Sequence, residues 1–216
     1  ALLFGVAFGN IFQGIPMDAT GYHGTLFKLL NSYGLLTGVL FLLLFIVHGA
    51  LWLAVKTNGD LSRRASSVAG KSWYALLVVA VLFLIYTAFA TNLYANYLAN
   101  PVWFIVPVTA VLALLGIKLF ALKGSYLGSF YSSCLTVLTV TFTGVIGLYP
   151  NLIPSSLDRN YSLTIFNSSS SPYTLKIMTV VALIFVPIVI GYQIWVYRIF
   201  RQKLTADEVL KEGESY

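Results

Sequence analysis

Residues 35–55 read LLTGVLFLLLFIVHGALWLAV and contain no charged side chain. A helix needs about 20 mainly apolar residues to cross the ~30 Å of hydrocarbon in a membrane. This stretch therefore predicts a transmembrane helix, and it decides the fold class of the chain.

Working outward, we find four more runs of this kind, at 73–94, 102–122, 127–149 and 175–197. The chain of 216 residues is 58% hydrophobic and only 9% charged, which leaves too little polar surface for a soluble globule. Residues 1–12 are apolar but too short to span, and we interpret them as the end of a helix whose start is absent. The sequence thus predicts an all-α polytopic transmembrane bundle of five full spans plus the end of a sixth, as one domain over 1–216 and as the C-terminal part of a longer protein.

The basic residues predict the orientation of the bundle. Under the positive-inside rule, Lys and Arg concentrate in cytoplasmic loops, and ten of the 13 lie in three segments that five alternating spans put on one side. We therefore expect a cytoplasmic C-terminus with a tail over 199–216, in which Thr205 and Glu208 favour a short helix. Residues 56–71 are predicted as a solvated cytoplasmic loop and residues 10–34 as an outer connection. The ten residues are Lys56, Arg63, Arg64, Lys71, Lys118, Lys123, Arg198, Arg201, Lys203 and Lys211.

The acidic residues all lie outside the predicted spans, although proton relays and ion sites in membranes are normally built on ionisable groups within them. Nucleotide-binding, hydrolase and metal-binding motifs are absent too. The sequence therefore predicts no catalytic residue and no metal ligand. Its single cysteine, Cys134, permits no intrachain disulfide. The acidic residues are Asp18, Asp60, Asp158, Asp207, Glu208, Glu212 and Glu214.

His48 is the one imidazole deep inside a span, and an intramembrane ionisable residue is a functional candidate by default. Its interpretation stays open between a hydrogen bond that packs two helices, a haem or quinone contact, and proton transfer. Trp52 lies one turn further along the same helix. If this chain binds a cofactor, His48 and Trp52 are the predicted contacts, as neighbours of a quinone.

The fourth predicted span carries a hydroxyl series at helical spacing, which is typical of a face through which helices pack in lipid. The alternative is a polar pathway. The series comprises Ser129, Ser132, Ser133, Thr136, Thr139, Thr141 and Thr143.

Four stretches in order along the chain carry a family resemblance. They are GVAFGNIFQGIP (5–16), LLNSYGLLTGV with HGALWLAVKTNGDLSRR (29–64), LYPNLIPSS (148–156) and SLTIFNSSSSPYTLKIMTVVALIFVPIVIGYQIWVYR (162–198). Together they resemble subunit II of cytochrome bd quinol oxidases.

The resemblance implies a haem-free, non-catalytic membrane subunit of a bacterial or archaeal plasma-membrane enzyme that oxidises quinol and reduces O2 to water. It implies a partner, subunit I, that holds haem b and haem d, and a structural quinone in some members. An additional small subunit is left open. The N-terminal acidic motifs of the family, of the DGFD and WDGN type, are absent, so no proton-route residue is carried over. Of the matching residues, we interpret Gly9, Asn10, Gln13, Gly14 and Pro16 as structural.

Two other classes compete with this interpretation. Pro107, Pro187 and the hydroxyl series favour a secondary transporter core, although such cores usually contain repeats and none is found. The other alternative is a purely structural membrane scaffold. A nucleic-acid partner is not expected, because the basic loop lacks interleaved aromatic side chains.

Overall fold

The computed structural model describes residues 1–200, and these are mainly helical. The helices are α1 (Leu2–Gln13), α2 (Leu26–Leu29), α3 (Ser32–Lys56), α4 (Gly59–Ala90), α5 (Ala95–Ala99), α6 (Ile105–Leu122), α7 (Tyr126–Leu148) and α8 (Pro172–Ile199), with short 3₁₀ turns at Pro101–Phe104 and Arg159–Tyr161. Five of them, counting α6 with the turn before it, are long and apolar enough to cross a membrane. The five predicted spans are confirmed, and α1 is the short helix expected over residues 1–12. The predicted tail, with Thr205 and Glu208, lies outside the described residues.

The two ends of the bundle differ in charge. At one end, called the basic end here, α3, α6 and α8 finish and α4 and α7 begin. A hydrogen bond from Lys56 Nζ to the carbonyl oxygen of Phe200, at 2.7 Å, shows that α3 and α8 finish together. The opposite end, called the cap end, carries the connections over 14–31 and 149–171.

The core lies around α3, which packs against α1, α4 and α7, while α6 packs against α7. Val47 and Leu51 of α3 are almost fully buried and meet Leu76 of α4 and Ile117 of α6 in one apolar cluster. Trp73 joins α4 to α6 by donating from Nε1 to the carbonyl oxygen of Leu114 at 2.8 Å.

The seam between α1 and α3 is built on glycine. A Cβ atom placed on Gly5 would lie 2.6 Å from the carbonyl oxygen of Thr37 and 2.7 Å from the Cα of Gly38. A Cβ atom on Gly9 would lie 2.8 Å from Thr37 Oγ1 and 2.9 Å from the Cα of Gly34. The two backbones approach this closely only because both helices place glycine at a four-residue spacing.

Helix α4 begins well before the predicted span. Residues 56–71 were expected to be a loop, yet α4 is helical from Gly59, so most of this segment is its first three turns. Ala65 and Ala69 are buried on one side of these turns, and Arg63 pairs with Asp60 at 2.9 Å on the exposed side. A hydropathy pattern marks only the part of a helix that lies in the hydrocarbon. The amphipathic first turns of α4 contain no long apolar run, so the sequence pattern did not predict them as helix.

Short β-hairpins organise the cap end. Strands β1 (Met17–Asp18) and β2 (Gly21–Tyr22) form one antiparallel pair, and β3 (Asn151–Ile153) and β4 (Leu163–Thr164) form another. An isolated β-bridge between Ile15 and Ser155 joins the connection over 14–31 to the connection over 149–171.

Helix α8 contrasts with the rest of the bundle. It runs unbroken through Pro187, and its side chains are exposed along almost the whole length. At the basic end it contacts α3, where the ring centroid of Tyr197 lies 5.9 Å from that of Trp52 in an edge-to-face arrangement.

Candidate functional site

His48 contacts the hydroxyl series of α7 directly. Its Nδ1 lies 2.9 Å from the Oγ of Ser133, and that hydroxyl donates to the carbonyl oxygen of Phe130 at 2.7 Å. A hydroxyl has one proton to donate. With the Ser133 proton directed at Phe130, the hydroxyl can accept from His48, and in the tautomer that carries its proton on Nδ1 the Nε2 keeps an acceptor lone pair.

Aromatic rings surround this contact. The ring of Phe130 has its centroid 5.0 Å from that of His48 and 5.0 Å from that of Trp52, so both predicted residues flank the same ring of α7. Lys56 Nζ lies 5.2 Å from the Trp52 ring, within the range of a cation–π contact. With Tyr197 against Trp52, the group joins α3, α7 and α8, and we call His48, Trp52, Phe130, Ser133 and Tyr197 the aromatic seam.

The hydroxyl series behaves mainly as a packing face. Ser129, Ser132, Ser133, Thr136 and Thr139 are buried. Their hydroxyl protons are largely spent on carbonyl oxygens: Thr136 and Thr139 donate within α7, and Ser129 donates across to Ile117 of α6 at 3.0 Å. Hydroxyls that are satisfied in this way pack helices together. These bonds favour the packing interpretation over a continuous polar pathway.

Asn10 is the centre of a second polar group, at the cap end. It is 6% exposed, and its Nδ2 donates to the carbonyl oxygens of Val6 at 2.8 Å and Leu29 at 2.7 Å. Its Oδ1 accepts from Asn31, whose own Oδ1 accepts the Gly34 amide at 2.7 Å and so caps α3. The Asn10 side chain therefore joins the ends of α1, α2 and α3. This is the structural role that the sequence predicted for Asn10, with its partners now identified.

Two of the four stretches that carry the family resemblance, 5–16 and 148–156, are distant in sequence but meet directly after α1. Gly14 has φ +86°, a backbone conformation that favours glycine, and a Cβ there would lie 3.1 Å from the carbonyl oxygen of Pro154. The Ile15 amide donates to that same oxygen at 3.0 Å, and the buried Ser155 hydroxyl donates to the carbonyl oxygen of Met17 at 2.5 Å. Sequence reasoning placed both segments on the outer side but did not pair them.

The hairpin that follows holds the second histidine. His23 Nε2 lies 2.8 Å from Asp18 Oδ1, which also accepts the hydroxyl and the amide of Thr20. The Thr20 hydroxyl, His23 and the Thr20 amide hold the pKa of Asp18 at about 2, below its ordinary 3.8. Both histidines of the chain are thus engaged in contacts with protein side chains. Within residues 1–200, no group of three His, Cys, Asp or Glu side chains is arranged to hold a metal ion.

Known proteins match this chain in sequence. The family model described as "Cytochrome bd terminal oxidase subunit II" matches residues 1–200. The chain belongs to this family. The resemblance found from the four stretches is confirmed.

Curated bacterial relatives match along nearly the whole chain. The "Probable cytochrome oxidase subunit 2" of Haemophilus influenzae is 32% identical over 100% of the chain and 65% of its own length. The "Cytochrome bd ubiquinol oxidase subunit 2" of Bacillus subtilis is 32% identical over 95% of the chain and 61% of its own length. The "Cytochrome bd-I ubiquinol oxidase subunit 2" of Escherichia coli strain K12 is 29% identical over 99% of the chain and 65% of its own length. The chain therefore spans somewhat less than two thirds of the relatives that it matches.

Membership of the subunit II family agrees with the architecture. Five helices suited to spanning and relatives from bacteria make this a multi-pass protein of the plasma membrane. The subunit II match also covers both polar groups described above, the aromatic seam and the Asn10 group.

Proposed function

We propose that this chain acts as subunit II of a bd-type quinol oxidase. In this role it is a haem-free, non-catalytic membrane subunit that supports a haem-bearing subunit I, in a complex that oxidises quinol and reduces O2 to water. The observation that carries the proposal is the family match over residues 1–200, with relatives whose names state that they are oxidase subunits.

The contacts of the two histidines bear on the haem-free part of the proposal. A haem ligand places an imidazole nitrogen on iron and usually gives the other nitrogen to a second acceptor. The Nδ1 of His48 already pairs with Ser133 and its ring lies against Phe130 at a tilt of 30°, while His23 is bound to Asp18 and Thr20 in an exposed hairpin. A haem ligand at His48 would use the remaining Nε2, and the substitution at His48 described below tests this directly.

Purification through a tag on this chain tests the proposal. We expect a partner chain to co-purify and the preparation to show the absorption bands of haems b and d. After the partner is removed, the haem is expected to leave with it. An isolated chain that binds both haems would overturn the assignment, and so would a preparation that contains no haem at any stage.

A substitution at His48 separates haem binding from packing. His48→Leu removes the hydrogen bond to Ser133 but keeps an apolar side chain of similar volume against Phe130. We expect the haem bands of the complex to be unchanged, because no haem depends on this imidazole. Loss of one haem band would show that the residue is a ligand.

We further propose that a quinone lies next to His48 and Trp52. In the tautomer with its proton on Nδ1, the Nε2 of His48 suits a hydrogen bond from a quinol hydroxyl, and the adjacent rings of Trp52 and Phe130 suit contact with a flat quinone ring. His48 and Trp52 are themselves half-buried, so part of each side chain is accessible from the surface of the bundle.

Extraction of quinone from purified variants tests this second proposal. His48→Leu and Trp52→Leu are expected to lower the amount of quinone retained per protein severalfold. Trp103→Leu is the matched control, because Trp103 lies at the cap end and is 48% exposed. Equal retention in all three variants would place the quinone elsewhere or in another subunit.

A further inference from the structure

Lys118 occupies an unusual position for a lysine, inside the seam between α4 and α6. Its Nζ lies 4.6 Å from the ring centroid of Tyr74 and 5.9 Å from that of Trp73, two neighbouring residues of α4. Aromatic faces attract a cation at these distances. The ammonium group is thus held at a defined place near the basic end of the bundle.

A cleft opens beside this lysine. Its walls come from α3, α4, α6 and the start of α7, and its enclosed part has room for one water-sized group, about 20 Å³. The polar side chains that line it are Lys118, Tyr126 and Ser66. The Ser66 hydroxyl donates to the carbonyl oxygen of Arg63. Lys118 and Tyr126 make no hydrogen bond or ion pair with any residue of 1–200, so the cleft presents two uncommitted donors.

The charge around the cleft favours an anion. Among the described residues, the basic end carries seven Lys and Arg side chains and one carboxylate, Asp60, which is already paired with Arg63. The cap end carries three basic and two acidic side chains. A surface with such an excess of positive charge concentrates anions, and basic pockets between transmembrane helices bind anionic lipid head groups.

We propose that the open side of the cleft between α4 and α6 binds the phosphate group of an anionic phospholipid, with Lys118 as its ionic contact, Tyr126 as its hydroxyl donor and one phosphate oxygen in the enclosed part. The surroundings favour a lipid over a free phosphate ion. Leu119 and Leu122, which follow Lys118 on α6, are 59% and 72% exposed and offer apolar surface to acyl chains. The site is independent of the proposed oxidase function, since it rests on contacts of this chain alone.

Lipid titration followed by native mass spectrometry tests the site on the full chain, purified with any subunits that accompany it. The probes are phosphatidylglycerol, phosphatidylcholine and inorganic phosphate. We expect Lys118→Met to weaken phosphatidylglycerol binding about fivefold, which corresponds to about 1 kcal/mol for one lysine at a membrane surface. Lys118→Arg is expected to retain binding, because it keeps the charge.

Lys123→Met is the matched control, since Lys123 lies just beyond α6 at the same end of the bundle, is exposed and does not line the cleft. Its effect is expected to stay within about twofold, as for most exposed charges. Tyr126→Phe tests the site without touching Lys118 and is expected to weaken binding at least threefold, because it removes one hydrogen bond to the phosphate. It keeps the proposal falsifiable if the Lys118→Met variant does not fold.

Three results would overturn the proposal. Equal losses in Lys118→Met and Lys123→Met would show a diffuse attraction of the whole basic end. Equal affinity for phosphatidylcholine would show that the anionic charge of the lipid is not recognised. Displacement of the bound lipid by millimolar inorganic phosphate would assign the cleft to a free anion.

Discussion

Helices α3 and α8 are both long, apolar and suited to spanning, but they differ in how they are packed. In α3, 33% of the most apolar stretch is buried, whereas in α8 none of it is. Glycine pairs, Asn10 and the His48–Ser133 bond fasten α3 to its neighbours. Since lipid tails are as apolar as leucine, apolar character inserts a helix without attaching it to another. The two helices therefore differ in the contacts that their glycine and polar side chains make with neighbouring helices.

A substitution between α1 and α3, where glycines let the backbones meet, is expected to have the largest effect on the packing of α3. Gly5→Ala drives a methyl group into backbone atoms of Thr37 and Gly38, which cannot rotate away as a side chain can. We expect the free energy of unfolding in mixed detergent micelles to fall by about 3 kcal/mol, as in strong overpacking.

The same substitution in α8 is the control for the seam. Gly191 has open space where a Cβ atom would lie, so Gly191→Ala is expected to leave stability unchanged or to raise it by up to about 1 kcal/mol through helix propensity. A loss in this variant as large as in Gly5→Ala would refute the contrast.

Asn10→Ala should have the next largest effect. The change removes two donated hydrogen bonds and leaves the carbonyl oxygen of Leu29 and the Asn31 amide short of a partner. A loss of about 2 kcal/mol in the free energy of unfolding is expected. Gln193→Ala, at an exposed position of α8, should leave stability nearly unchanged, and the two variants can be compared in one denaturation series.

The contact between Trp52 and Tyr197 measures how firmly α8 is attached. A double-mutant cycle with Trp52→Leu and Tyr197→Leu is expected to give a coupling free energy of about 1 kcal/mol, the usual value for an edge-to-face pair. A coupling of several kcal/mol would mean that α8 is fastened as firmly as α3. A coupling of zero would remove this link between α8 and the bundle.

The smallest effect concerns the hairpin after α1. Because folding lowers the pKa of Asp18 from 3.8 to about 2, its contribution to stability is present above pH 4 and is lost as the pH falls towards 2. The protection factors of the hairpin amides, which correct the exchange rates for their intrinsic dependence on pH, should fall across this interval. In Asp18→Asn the protection factors should already be low at neutral pH and nearly independent of pH, while those of the α8 amides should show no corresponding step.

Much of the architecture was predictable because it depends on local composition. The five spans and the short first helix were predicted from runs of apolar residues, and the family was predicted from four short stretches of sequence. The start of α4 was missed because Ala65 and Ala69 pack an amphipathic extension that hydropathy does not detect. His48 was recognisable as a candidate, but its partner Ser133 lies 85 residues away on α7. The meeting of Gly14 with Pro154 and the position of Lys118 against Tyr74 left no signal in the sequence.

The sequence by itself determined that this chain lies in a membrane, how many times it can cross and to which family it belongs. Those properties depend on sums over about 20 neighbouring residues, measured against a hydrocarbon layer of fixed thickness. Only the tertiary structure decided which helices are fastened and which polar groups meet. Two helix faces of equal hydropathy can meet different groups on the neighbouring helix, such as a glycine, a hydroxyl or an amide. Which group they meet depends on pairs of residues that are distant in sequence.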